Sequence, residues 1–205
     1  YEAGARFTYE VGPKLTLTGL VLNGWQNIRE TNQAKALGTQ LQWRPTAKLL
    51  FNSSTFYGNE QPPDSLVRRR YFHDFYVTYA ATGRLNLALV FDVGKQQSQY
   101  RRGYDTWHAG SAFVKYQLNS LVSSTLRAEY YYAQRGVFIT SITPTLTDAD
   151  FYVGGPSLNF DYAPTSHVVF RIEGRYLRSQ NPIFQHDFGP SRNYGNVTSS
   201  IALSF

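Results

Sequence analysis

The sequence predicts an all-β fold, an antiparallel up-and-down transmembrane β-barrel with about eleven strands in view. Three observations carry the prediction. Extended segments alternate apolar and polar residues with a period of two along most of the chain. Short turns and longer polar links alternate between those segments. No apolar run approaches the ~18 residues that a transmembrane helix needs. Aromatics make up 16% of the 205 residues, with 16 Tyr and 14 Phe, a richer supply than an average soluble core draws on. Apolar content is 42%, and alternating strands keep mean hydropathy low even in a membrane wall.

The first strand sets Tyr1, Ala3, Ala5, Phe7, Tyr9 and Val11 on one face and Glu2, Gly4, Arg6, Thr8 and Glu10 on the other. A turn at Gly12-Pro13-Lys14 leads into Leu15–Leu22, and such turns draw on Gly, Pro, Asn and Ser for their backbone freedom or rigidity. Further short turns fall at Pro45-Thr46-Ala47, Thr82-Gly83-Arg84, Asn119-Ser120 and Ala163-Pro164-Thr165-Ser166. The sixth strand places Leu85, Leu87, Leu89, Phe91 and Val93 opposite Asn86, Ala88, Val90, Asp92 and Gly94. The eighth sets Leu126, Ala128, Tyr130 and Tyr132 against Thr125, Arg127, Glu129 and Tyr131, and the tenth sets Val168, Phe170, Ile172, Gly174 and Tyr176 against Val169, Arg171, Glu173 and Arg175. Charges kept to one face over such lengths suit a strand with lipid on one side and water on the other. The longer links cover residues 27–33, 60–68, 97–103, 136–149 and 181–192. Short turns on one rim and long loops on the other match the periplasmic and extracellular ends of an outer-membrane barrel, whereas Greek-key sandwiches mix their connections. With no low-complexity segment or linker, residues 1–205 read as a single transmembrane β-barrel domain.

The last strand places Val197, Ser199, Ile201, Leu203 and Phe205 on one face and Asn196, Thr198, Ser200, Ala202 and Ser204 on the other. It resembles the closing strand of bacterial outer-membrane barrels, in which a terminal aromatic is the insertion signal read by the barrel assembly machinery. The resemblance assigns that role to Phe205 and puts the carboxy-terminus in the periplasm. Counting back about eleven strands then places Tyr1 at the extracellular end of a descending strand. Single-chain bacterial barrels have even strand numbers, so at least one strand is expected before Tyr1, as the carboxy-terminal part of a barrel of about twelve or more strands. A miscounted strand is the alternative. The start at Tyr1, without Met or a signal peptide, reads as a processed or truncated product.

Formal net charge is +6, and its meaning depends on where the charges lie. Arg29, Lys35, Arg68, Arg69, Arg70, Lys95, Arg101, Arg102, Arg135, Arg178 and Arg192 fall in or beside the long links. Arg68, Arg69, Arg70, Arg101 and Arg102 form the densest part of this extracellular basic rim. Outward members suit lipid phosphates, inward members would concentrate anionic solutes, and plain solvated loop charge is the third reading. Nucleic acid is not an expected partner, because the charges spread around a rim and no recognition motif accompanies them. A second set lines the presumed interior: Glu2, Arg6, Glu10, Arg44, Asp74, Asp92, Lys115, Arg127, Glu129, Asp161, Arg171, Glu173 and Arg175. In a narrow barrel such charges pair into a plug, and in a wide one they line a water-filled channel.

Two belts of amphipathic rings are expected at headgroup level. Trp25, Tyr57, Tyr71, Tyr104, Trp107, Tyr132, Tyr176 and Tyr194 lie toward the long-loop rim, and Tyr9, Trp43, Tyr79, Tyr116 and Tyr162 toward the short-turn rim. Nothing points to catalysis, a cofactor or a metal. Cysteine is absent, and the four histidines lack an i, i+4 pair. His73 and Asp74 are adjacent on a strand and point to opposite faces. Asp148 and Asp150 are too few for a calcium site, and there is no Gly-x-Ser-x-Gly elbow. A triad assembled from distant strands is a minor alternative.

The opening hairpin carries a more specific signal. Tyr1-Glu2-Ala3-Gly4-Ala5-Arg6-Phe7-Thr8-Tyr9, then Leu15–Leu22 and Asn23-Gly24-Trp25-Gln26-Asn27, resembles the OmpL-like β-barrel porins of Bacteroidota. The resemblance implies an outer-membrane, porin-like barrel with further strands before this segment, and it implies no catalytic residues and no defined substrate. The expectation is a channel for passive diffusion of small polar solutes, set among outer-membrane lipid and lipopolysaccharide. The alternative is a structural or accessory barrel with a plugged lumen, whose loops bind a partner protein, surface lipid or further copies in an oligomer.

Overall fold

The computed structural model describes residues 3–29, 32–98, 101–137, 150–187 and 189–204. Tyr1, Glu2, Asp148 and Phe205, named above, lie outside the described residues. Strands run in chain order: β1 (Gly4–Gly12), β2 (Leu15–Leu22), β3 (Ala36–Thr46), β4 (Leu49–Asn59), β5 (Arg69–Ala80), β6 (Leu85–Gln97), β7 (Tyr104–Gln117), β8 (Val122–Ala133), β9 (Phe151–Thr165), β10 (Val168–Ser179), β11 (Phe184–His186), β12 (Gly189–Ser191) and β13 (Asn193–Leu203). β1 to β10 and β13 form one eleven-stranded sheet in sequence order, each strand beside its predecessor. This is the up-and-down arrangement expected from the alternating pattern. The short β11–β12 hairpin belongs to the link between β10 and β13.

Two-residue turns at Pro13-Lys14 and Ala47-Lys48, with similarly tight links before β6, β8 and β10, join strands at one edge of the sheet. The five long links leave from the other edge. The chain divides into two compact units, the first of residues 1–77 and 90–108, the second of residues 78–89 and 109–205.

In both units the usual burial pattern is inverted. Buried side chains are often polar, among them Thr18, Asn52, Arg70 and Gln96 in the first unit and Ser157, Asn159 and Asp161 in the second. Exposed side chains are often large and apolar: Phe7, Leu37, Leu41 and Phe51 in the first, Leu158, Phe160, Ile172 and Ile201 in the second. A folded protein in water hides its apolar residues, so exposed apolar rows on strand after strand describe a wall made for lipid. Below, the polar face is called inner and the apolar face outer. Among the described residues, no helix is long and apolar enough to cross a membrane.

Candidate functional site

Register builds the inner face of the second unit. Arg171 on β10 sits opposite Asp161 on β9 and opposite Ser200 on β13. Directly opposed side chains on one face are within reach of each other. Arg171 donates through Nε to Asp161 Oδ1 at 2.7 Å and through Nη2 to Oδ2 at 2.8 Å, a planar fork on a carboxylate. Asn159 Nδ2 donates to the same carboxylate at 3.0 Å.

The next pairs reach across a whole strand. Glu129 on β8 faces Gly155 on β9, while Arg127 faces Ser157. With Gly and Ser on β9, nothing bulky separates β8 from β10. Arg127 Nη2 donates to Glu173 Oε1 at 2.8 Å, and Arg175 Nε donates to Glu129 Oε1 at 2.7 Å. Arg127 Nη2 also lies 3.7 Å from Glu129 Oε1, which links both pairs. Arg127, Arg171 and Arg175 thus oppose Glu129, Asp161 and Glu173, and the six charges cancel. In two pairs the base is more exposed than the acid: the side chains of Arg171 and Arg175 keep 50% and 37% of their surface exposed, against 9% for Asp161 and 18% for Glu129, and Arg127 keeps 25%.

The inner face of the first unit is different. Leu22, Ala36 and Phe56 are buried together, with Leu20, Trp25 and Phe72 packed on them. Trp25 belongs to the β2–β3 link and inserts its indole between two strands, edge-on to Phe56 at 5.0 Å and to Phe72 at 4.8 Å. Glu60 Oε2 pins that link by accepting from the Trp25 backbone N–H at 2.9 Å and from Asn27 Nδ2 at 3.3 Å. Asn32 Nδ2 donates to the backbone carbonyls of Asn59 and Gln61 at 2.8 and 2.9 Å. Gly24 has φ +125, and a Cβ there would meet the Glu60 carboxylate at 2.9 Å. Both the conformation and the close approach require glycine. Arg70 is buried beneath the link, its Nε and Nη2 donating to Gln96 Oε1 at 2.9 and 2.7 Å, and its guanidinium 5.5 Å from the Trp25 ring centre. A second indole, Trp107, is buried on β7 against Gly94, where any side chain on β6 would collide with it.

Nearer the short turns, an amide network replaces the rings. Gln40 Nε2 donates to Asn52 Oδ1 at 2.9 Å, and Asn52 Nδ2 donates to Asp74 Oδ2 at 3.0 Å. Asp74 in turn faces Asp92.

Residues 1–205 match the family described as "Putative beta-barrel porin-2, OmpL-like". The chain belongs to this family. The NanC porin, solved in a rhombohedral crystal form, superposes with a TM-score of 0.56 at 12% identity, over 100% of this chain and 97% of that one. At that identity the likeness shows the fold, an antiparallel porin-type barrel. No curated protein sequence matches the chain. The protein is an outer-membrane, porin-like β-barrel.

The lumenal charges expected from alternation are placed as follows. Arg127, Glu129, Asp161, Arg171, Glu173 and Arg175 gather in the second unit's strip. Asp74 joins the amide network of the first. Arg6 Nε donates to Thr8 Oγ1 at 3.2 Å on the inner face of β1, where Thr8 meets Thr18. Glu10 and Arg44 stand exposed near the short-turn edge. Among the rim arginines, Arg68 donates through Nε to the Gln97 carbonyl at 3.1 Å, Arg69 lies on the outer face and Arg102 is exposed. Arg101 lies 3.5 Å from the buried Asp105 carboxylate.

Three residues depart from their expected surroundings. Arg70 is not a solvated rim charge, because parity turns it to the inner face with Phe72 and Asp74. Trp25 and Trp107 do not belong to a headgroup belt, since both indoles fill the inner face. Tyr57, Tyr71 and Tyr104 are on the outer face. Alternation could have placed Trp107, which shares the parity of Asp105. The insertion of Trp25 has no sequence signal beyond its place in the Asn-Gly-Trp segment. His73 and Asp74 point to opposite faces, His73 bonding Ser53 Oγ through Nε2 at 2.7 Å. Asp150 accepts from Tyr132 Oη at 2.6 Å. Among the described residues, no three His, Cys, Asp or Glu side chains gather as metal ligands.

Proposed function

We propose that residues 1–205 form a single transmembrane barrel domain that conducts small polar solutes passively across the outer membrane, without catalysis. The observation that carries this reading is the ion-pair strip of Arg127, Glu129, Asp161, Arg171, Glu173 and Arg175, whose arginines stay partly exposed. Water that reaches these guanidinium groups gives a polar solute groups with which to exchange hydrogen bonds. Because opposite charges cancel along the strip, it sets up little net field, which favours weak selectivity over discrimination by charge sign.

The long links face the cell surface and the carboxy-terminal edge faces the periplasm. Insertion proceeds through the barrel assembly machinery, with β13 and Phe205 as its recognition element. A second reading has its own support: the Trp25 link and the apolar cluster occupy the inner face of the first unit, as a plug would. A structural barrel of that kind would present its loops to a partner protein or to surface lipid. Single-channel recording in planar bilayers separates the two. Steady ohmic current is expected from the channel, and a protein that inserts without current is the plugged barrel.

A further inference from the structure

The outer face of the first unit carries a built-up cluster beside the long links. The rings of Tyr57, Tyr71 and Tyr104 follow one another with centres 4.7 and 6.0 Å apart. Lys95 Nζ lies 4.9 Å from the Tyr71 centre and 5.1 Å from that of Tyr104. The Arg69 guanidinium lies 5.6 Å from the Tyr57 centre and donates to its hydroxyl. Register settles the direction. Tyr57 sits opposite Leu37, which is 54% exposed. Lys95 is exposed with the parity of Val93, whereas Gly94 and Gln96 are buried on the other face.

Cations on a lipid-facing surface are costly unless they reach the interface, where long side chains carry the charge up to the headgroups. Here the two cations stand on rings at the strand ends, which is where headgroups lie. Toward the middle of the strands, an apolar groove of about 390 Å³ is lined by Tyr57, Tyr71, His73, Val93 and Lys95. Polar groups on this face bond one another, Thr39 Oγ1 with Thr55 Oγ1 at 2.6 Å and Ser53 with His73. The groove therefore presents little unsatisfied polarity to a hydrocarbon chain. Toward the loops, a recess of about 520 Å³ is lined by Arg68, Arg101 and Arg102. From membrane to surface the order is apolar groove, two fixed cations, basic recess. That is the order of chain, phosphate and polar head in a phosphorylated lipid.

We propose that Arg69 and Lys95, seated on Tyr57, Tyr71 and Tyr104, bind the phosphate of an outer-leaflet lipid whose acyl chain lies along the groove at Val93. The guanidinium fork and the compact ammonium approach one phosphate from two strands, β5 and β6. This inference rests on the orientation given under Proposed function, with the long links at the cell surface, and not on whether the lumen conducts.

The test uses the full chain in detergent, with native mass spectrometry reading the lipid retained from added diphosphoryl lipid A or its dephosphorylated form. Wild-type protein is expected to retain the diphosphoryl form at least about tenfold better, with the Arg69→Gln/Lys95→Gln chain losing that preference, the scale of two interfacial cations. The charge-keeping Arg69→Lys/Lys95→Arg chain should keep most of it. Should the glutamine pair not fold, as judged by heat-modifiable migration, Lys95→Gln alone against the charge-keeping chain gives the same comparison. Equal retention of both lipids, equal retention by the glutamine variant, or displacement by matching inorganic phosphate would each overturn the proposal. So would a dimer that dissociates on the same substitutions, since the face would then belong to a second copy. Bilayer current recorded on the same preparation reports the channel reading separately.

Discussion

The inner faces of the two units solve one problem with different chemistry. Each must cover the polar side of strands whose other side meets lipid. The second unit does so with Arg127, Glu129, Asp161, Arg171, Glu173 and Arg175, whose long chains meet over the small residues Gly155 and Ser157. The first does so with Trp25, Phe56, Phe72 and Trp107, a link folded back onto the sheet and a buried arginine. Alternation alone therefore does not fix what a lumenal face is made of. Rings and a returning link exclude water, whereas ion pairs hold it.

The comparison can be broken or sharpened by experiment. The largest effect is expected from Trp25→Ala, which empties the space between Phe56 and Phe72 and frees the link. Removal of a large core ring costs about 3 kcal/mol, which should lower the temperature of heat-modifiable migration. Conductance should rise if the link narrows the lumen. An unchanged current would place the first unit's packing outside the conducting path. Gly94→Ala comes next, because its methyl collides with the Trp107 indole. Overpacking of this kind costs about 1–3 kcal/mol, read by the same migration assay, and a neutral result would show that the indole yields.

Substitutions in the ion-pair strip should cost less. A double-mutant cycle on Arg127→Gln and Glu173→Gln should return a coupling of about 0.5–1 kcal/mol, because both side chains are partly solvated. Glu173→Gln alone leaves three positive charges against two negative in the strip, and the reversal potential in a salt gradient should move toward anions. An unchanged reversal potential would mean that Glu173 does not face the conducting path. The smallest effect is that of salt. Raising ionic strength to about 1 M, where screening acts within roughly 3 Å, should shrink the Arg127–Glu173 coupling and leave the Trp25→Ala effect unchanged. Equal salt sensitivity in both would remove the distinction between the two faces.

Much of this was legible in the residue order. A period of two with charge on one side gave the eleven-stranded sheet, since a pleated strand sends neighbours to opposite faces whatever surrounds it. Gly, Pro, Asn and Ser marked the tight turns only to within about two residues, since Pro45 and Pro164 lie inside β3 and β9 and the turns there follow them. The opening hairpin pointed to the family to which the chain belongs. Parity also put Asp161, Arg171, Glu173 and Arg175 on one face. Residue order did not say which acid meets which base. Arg175 reaches Glu129 across β9 because the register of three strands brings them together over Gly155, and register is a property of the paired sheet.

The same limit explains Arg70 and Trp25. Arg70 stands in an arginine run that reads as a solvated rim, and only the packed β4–β6 surface shows it under an indole. Trp25 lies in a link, and links carry no periodicity that would reveal an inward turn. The sequence by itself determined the alternation, the strands and the two chemistries of the wall, because these follow from covalent geometry and side-chain type. Tertiary structure alone decided which charges pair, which rings leave the headgroup belt and which cations stand over the outer-face tyrosines. Those depend on distances between residues that the chain order keeps far apart.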